Sequence, residues 1–156
     1  MFLTRKFLML LLGLVMAFAV AASGPYDESA DAKASVRQAL GAAQTDHVPV
    51  LVVFGANWCE DCRALDLALK TGRNAEQIAR EFKVVKVDVG NFNRNLDISR
   101  AYGDPIKKGI PAAVVLSADN RVLYATRAGE LADARRMGES GIFDFFTVVS
   151  QKSKGK

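Results

Sequence analysis

Val50-Leu51-Val52-Val53-Phe54-Gly55-Ala56-Asn57-Trp58-Cys59-Glu60-Asp61-Cys62 decides how the rest of the chain reads. Its first part, Val50–Phe54, is an unbroken apolar run rich in β-branched residues, the pattern of a strand buried on both faces. Gly55-Ala56-Asn57 turns the chain. Cys59 to Lys70 then carries Ala64, Leu65, Leu67, Ala68 and Leu69 in a helical pattern that Thr71-Gly72 ends. Two cysteines therefore stand at a strand-to-helix junction. They are the only two in 156 residues, and a bridge between them closes so small a loop that chain entropy gives it little stabilising effect. A chain of this length also buries a core without covalent help. The pair reads as chemistry rather than as a staple.

On either side, helices alternate with strands. Asp27–Gln44 reads as a helix through Val36, Ala39, Leu40 and Ala43, and Pro49 interrupts it. Asn74–Phe82 is a second short helix and Val84–Val89 a second strand, and Asn91–Tyr102 is polar with helical tendency. Pro111–Leu116 and Val122–Tyr124 form a hairpin across Asp119-Asn120. Ala132–Val149, with Phe143, Phe145 and Phe146, is a closing helix, and Gln151–Lys156 a flexible, solvated tail. This order implies an α/β sandwich, with no repeat and no interdomain linker.

Met1–Lys6 carries Arg5 and Lys6 and no acid, Phe7–Val20 is apolar apart from Gly13, and Ala19-Val20-Ala21 supplies small residues for cleavage. Residues 1–21 are thus expected to be a signal peptide, cleaved after Ala21 or close to it. The alternative is a membrane anchor, for which the run is short against the roughly 20 apolar residues a spanning helix needs. Lys plus Arg number 21 and Asp plus Glu 17, a net +4. Two of the cations lie in the leader, so the mature excess is 19 against 17. So small an excess does not mark a nucleic-acid binder. Cys59, Cys62 and the single histidine, His47, fall short of the four ligands of a closed zinc site, and no metal is expected. No Gly-rich phosphate loop and no Ser-His-Asp set is present, and His47 is read as a surface residue.

Trp58-Cys59-Glu60-Asp61-Cys62 after a buried strand, with Gly109-Ile110-Pro111 ahead of a later one, resembles the thioredoxin superfamily over roughly Pro49 to Val149. The added N-terminal helix and the segment around Tyr102–Gly109 are similar to the exported single-domain thioredoxin-like proteins of Gram-negative bacteria. They are also similar to the thioredoxin-like terminal domain of the transmembrane disulfide reductase. The resemblance implies a three-layer α/β sandwich with a central mixed sheet of four to five strands flanked by helices. A helical extension over 22–48 would precede the thioredoxin-like domain at 49–150, and the tail would follow at 151–156. It implies a periplasmic, monomeric thiol–disulfide oxidoreductase without a cofactor and without stable membrane insertion after cleavage. Its partners would be protein thiols and disulfides, together with an upstream redox partner. The Ile110–Pro111 bond would be cis and beside the disulfide, with the Ile110 backbone pairing to an extended substrate strand.

The chemistry of the pair follows from its place. The thiolate is the nucleophile, and a helix N-terminus presents unsatisfied N–H groups and the positive dipole end to Cys59. Cys62, one turn on, is placed to attack a mixed disulfide held on Cys59. Cys59 is therefore expected to attack and Cys62 to resolve. Trp58 is read as shielding one side of the pair, or else as a core aromatic. Thioredoxins carry a buried acid six residues before the first cysteine, where this chain has Val53. Asp66, on the same helical face as Cys59 and Cys62, is the candidate substitute for proton transfer, or else a solvated carboxylate. Lys107-Lys108 and Arg63 read as solvated cations that could support the thiolate, and Ala134–Gly138 as a charged helix start.

Glu60 and Asp61 raise the cost of a Cys59 thiolate, which biases the pair towards a reductase. The chain also has no inserted helical domain between its second and third strands, which disfavours the exported oxidant type. Two other readings stand beside the enzyme. One is a non-enzymatic thioredoxin-like binding module or Cu(I) carrier using two soft thiolates, though without a flanking Met or His. The other is a structural protein with an inert disulfide.

Overall fold

The computed structural model of the chain describes residues 24–154, so the leader read over residues 1–21 lies outside the described residues. The elements run helix α1 (Ala32–Asp46), strand β1 (Val50–Gly55), helices α2 (Glu60–Leu69) and α3 (Gly72–Glu81), strand β2 (Lys83–Asp88) and helix α4 (Leu96–Ala101). A 3-10 turn at Pro105–Lys108, strands β3 (Ala112–Leu116) and β4 (Val122–Ala125), and helix α5 (Ala134–Lys154) complete them. The sheet order is β2-β1-β3-β4. β1 pairs parallel with β2 and antiparallel with β3, and β3 pairs antiparallel with β4.

Every residue of β1 and β3 is buried, as the unbroken apolar runs require. Alternation along β1 divides them between two faces. Val50, Val52 and Phe54 pack with Val36 and Ala43 of α1 and Ile98 of α4. Leu51 and Val53 pack with Leu65 of α2, Ile78 of α3 and Phe146 of α5. The result is a three-layer sandwich with a mixed sheet of four strands among the described residues.

Of the boundaries that differ from the sequence reading, three have a plain physical cause. α1 begins at Ala32 rather than Asp27, because Asp31 caps it through Oδ1 to the Ala34 N–H at 3.0 Å. Ahead of it, Asp27 Oδ1 accepts the Ser29 N–H at 2.9 Å and its hydroxyl at 2.6 Å, a turn that competes with helix. Within Asn91–Tyr102, Phe92 (φ 58°) and Asn95 (φ 53°) are left-handed, so the helix starts only at Leu96.

The third difference is the tail: α5 continues to Lys154, although its backbone breaks at Gly138 (φ 66°, ψ 179°). The Ser150 hydroxyl and Lys154 Nζ both donate to Glu81 Oε2, at 2.8 and 2.5 Å, and fasten these turns to α3. These donors, Lys154 foremost, hold the Glu81 carboxyl below its usual range. A carboxylate depressed by folding contributes stability above its unfolded pKa and loses it as pH falls through the folded value. Glu81→Gln should therefore lower stability at neutral pH by about 0.5–1 kcal/mol, the scale of a surface pair. Urea midpoints should show that deficit shrinking as the pH falls below the ordinary carboxylate range and wild-type Glu81 protonates.

Candidate active site

The buried strand β1 delivers the chain to Gly55, and Ala56-Asn57-Trp58 turns it into α2. The turn closes with the Cys59 N–H donating to the Ala56 carbonyl at 3.2 Å. Cys59 is the N-cap of α2, in extended conformation, and its Sγ accepts the Cys62 N–H at 3.1 Å. The two cysteines are joined as a disulfide, their Cα atoms 5.2 Å apart. Cys62 has no exposed surface and Cys59 keeps 6%. Cys59 thus lies nearer the surface and Cys62 behind it.

The loop before β3 closes a second side. The Ile110–Pro111 peptide bond is cis, and the Ile110 carbonyl oxygen stands 3.6 Å from Cys59 Sγ. A disulfide sulfur has no proton to donate, so this approach becomes a hydrogen bond only when Cys59 is a thiol. Trp58 is 53% exposed and so is not a core aromatic. Its Nε1–H donates to the Gly90 carbonyl at 2.9 Å, and its ring tilts against Phe92 at 6.2 Å between centroids. Phe92 is itself exposed, so two aromatics form a shelf beside the pair.

Asp66 lies one turn below Cys62, and lysines take both its oxygens. Oδ2 accepts from Lys70 Nζ at 2.9 Å, and Oδ1 pairs closely with Lys86 Nζ of β2. Burial pushes the Lys86 ammonium down from its ordinary pKa. Lys86 is the register partner of Val53. Asp66 thus ties α2 to β2 through Lys86. Arg63 is not free beside the sulfurs, because its Nη1 donates to the Asn57 carbonyl at 2.7 Å. Lys107 and Lys108 are exposed in the 3-10 turn.

Two residues escaped the sequence reading. Arg135, read as part of a charged helix start, reaches the acids between the cysteines. Its guanidinium pairs with Glu60 and lies 3.6 Å from Asp61 Oδ1, which also accepts the Arg135 N–H at 3.0 Å. No local pattern signals a pairing across more than 70 positions. Tyr26 is the other. It is buried at the start of α2, and burial first and the Asp88 carboxylate second push its phenol pKa up.

Residues 31–118 match the family model described as Thioredoxin-like, which begins inside the segment read as an N-terminal extension. A disulphide isomerase from Xylella fastidiosa Temecula1 is 56% identical, with 83% of this chain and 99% of that one covered and a TM-score of 0.81. The oxidised C-terminal domain of Neisseria meningitidis DsbD, at 21% identity, 62% and 82% coverage and a TM-score of 0.50, shares the fold. The thiol:disulfide interchange protein DsbD of Campylobacter jejuni (strain RM1221) is 30% identical over 67 residues. That match spans 40% of this chain but only 12% of the interchange protein's length. With its cysteine pair at the N-terminus of α2, the chain belongs to the thioredoxin-like family of thiol–disulfide oxidoreductases.

Proposed function

We propose that the protein is an exported reductase that passes electrons from the Cys59–Cys62 dithiol to disulfides of protein partners. One observation carries the assignment of roles: Cys59 is the N-cap with residual exposure, and Cys62 is wholly buried behind it. A partner reaches Cys59 first, and the helix N-terminus favours its thiolate. The Cys59 thiolate attacks a partner disulfide, forming a mixed disulfide and releasing one partner sulfur. Cys62 loses its proton and attacks Cys59, the mixed disulfide breaks, and the second partner sulfur leaves. Two electrons pass to the partner. Trp58, Ile110 and Pro111 frame the approach, with the Ile110 backbone pairing to an extended segment around the partner cysteine. Asp66 is the carboxylate assigned to accept the Cys62 proton.

The location is proposed to be the periplasm, on the strength of the leader read over residues 1–21. Among the described residues no helix is long and apolar enough to cross a membrane. The protein acts without a cofactor and as a monomer in this proposal. The upstream partner that restores the dithiol is another thiol–disulfide protein.

Direction rests on charge around Cys59. Glu60 and Asp61 favour a reductant, but Arg135 offsets both. Arg135→Ala should uncover that charge and make the pair more reducing by about 6–20 mV, the equivalent of roughly 0.3–1 kcal/mol at an exposed site. Neutralising Glu60 and Asp61 together should raise the potential by no more than that. A potential that rises in Arg135→Ala would contradict the assignment.

Stoichiometric reduction of insulin disulfides by the pre-reduced protein tests the reductase directly, with Cys59→Ser as the inactive control. The Xylella relative favours a second reading, isomerisation, by the description it carries. Repair of a scrambled disulfide protein by Cys62→Ser, with no reduction of insulin by wild type, would establish that reading instead.

A further inference from the structure

The segment ahead of α1 sets a phenol against the buried cysteine. Tyr26 keeps 2% of its surface, although residues 27–30 that follow it are exposed. Asn57 of the site turn holds it at both backbone groups. The Tyr26 N–H donates to Asn57 Oδ1 at 2.9 Å, and Asn57 Nδ2 donates to the Tyr26 carbonyl at 2.8 Å. Arg63 in turn bonds the Asn57 carbonyl. Held this way, the ring ends over Gly55. A Cβ at Gly55 would overlap the phenol oxygen and stand 3.0 Å from Cys62 Sγ, so hydroxyl and sulfur border one small space. The missing side chain at Gly55 is what admits the phenol. Asp88, the register partner of Gly55, is buried and lies 3.4 Å from Arg94 Nη1. With burial and Asp88 both opposing ionisation of the phenol, Tyr26 enters the chemistry as a donor and not as a base.

We propose that Tyr26 is a positioning residue for the exchange reaction: with the disulfide open, its hydroxyl donates to the Cys62 sulfur and favours the dithiol form. The inference rests on Cys62 being the resolving cysteine. In the resolving step the Cys62 thiol gives up its proton and its thiolate attacks Cys59. The Cys59–Cys62 bond forms, the bond from Cys59 to the partner breaks, and the partner thiolate leaves and takes up a proton. Tyr26 keeps its own proton and exchanges no electrons. A thiol sulfur accepts a hydrogen bond better than a disulfide sulfur does, and the thiolate formed in the resolving step accepts one more strongly still. The hydroxyl therefore stabilises the reduced protein more than the oxidised one.

Tyr26→Phe in the full chain keeps the ring and removes the donor. Equilibration of wild type and variant in glutathione redox buffers, with thiols counted by alkylation, should show the variant's equilibrium constant displaced about three- to tenfold towards the disulfide. Urea unfolding of both redox forms supplies the reading that a merely structural role would not move. The dithiol form should lose more stability than the disulfide form, by the same factor. Equal losses in the two forms, with an unchanged equilibrium constant, would overturn the inference while leaving the reductase intact. A wild-type pair that does not equilibrate with glutathione at all would overturn the reductase reading, and this inference with it.

Discussion

Cys62→Ser should accumulate mixed disulfides with partner proteins, and Cys59→Ser should accumulate almost none. The geometry sets the asymmetry. In Cys62→Ser, Cys59 keeps its place as N-cap of α2 and its residual exposure, so attack proceeds. The group that would release the partner is gone. In Cys59→Ser the remaining thiol is Cys62, which has no exposed surface, and a partner disulfide cannot reach it without opening the site. Net insulin reduction should fall by at least about a hundredfold in both variants, since each lacks one half of a two-electron couple. Trapping should differ between them by about tenfold or more, given that attack requires access as well as a thiolate. Non-reducing gels of extracts quenched in acid give both readings. Equal trapping would reverse or abolish the assigned roles.

Phe146→Ala should cost about 3–5 kcal/mol, the range for removing a buried aromatic. Phe146 has no exposed surface and meets Phe82, the C-cap of α3, and Phe145 edge-on, at 6.4 and 5.0 Å between centroids. It belongs to the cluster in which Leu65 and Leu69 seat α2 on the sheet. Such a loss is a large part of the 5–15 kcal/mol typical of a whole domain. The urea midpoint should fall accordingly, while the molecules that stay folded keep the reduction potential of the wild type. A shift of the potential would mean that the α5 packing also sets the geometry of the cysteine pair.

The parts of the fold legible in the sequence are those whose cause is local. Val50–Phe54 reads as a doubly buried strand because both its faces are covered, and that alone places the cysteines at a strand-to-helix junction. The parts that were not legible have causes elsewhere in the chain. The start of α1 depends on an Asp27–Ser29 turn and on Asn57 drawing Tyr26 inward, a contact 31 positions apart. Gln151–Lys154 has the composition of a tail, yet it is helical because Glu81, far earlier in the chain, binds Ser150 and Lys154. The same holds at the site. Cys59 and Cys62 are visible by motif, and Pro111 by the loop it opens. The cation that offsets Glu60 and Asp61 comes from α5, and the phenol beside Cys62 comes from ahead of α1. Glu60 and Asp61 alone argued for a reducing bias, and Arg135 weakens that argument.

The most direct test of the reductase assignment is the standard reduction potential of the wild-type Cys59–Cys62 couple, measured against glutathione at neutral pH. The expected value lies nearer the roughly −270 mV of thioredoxin than the roughly −120 mV of the strong periplasmic oxidants. Accordingly, the pair should be mostly disulfide in a mildly oxidising buffer. A pair that stays reduced in that buffer, with a strongly depressed Cys59 pKa, would contradict the reductase assignment and mark the protein as an oxidant.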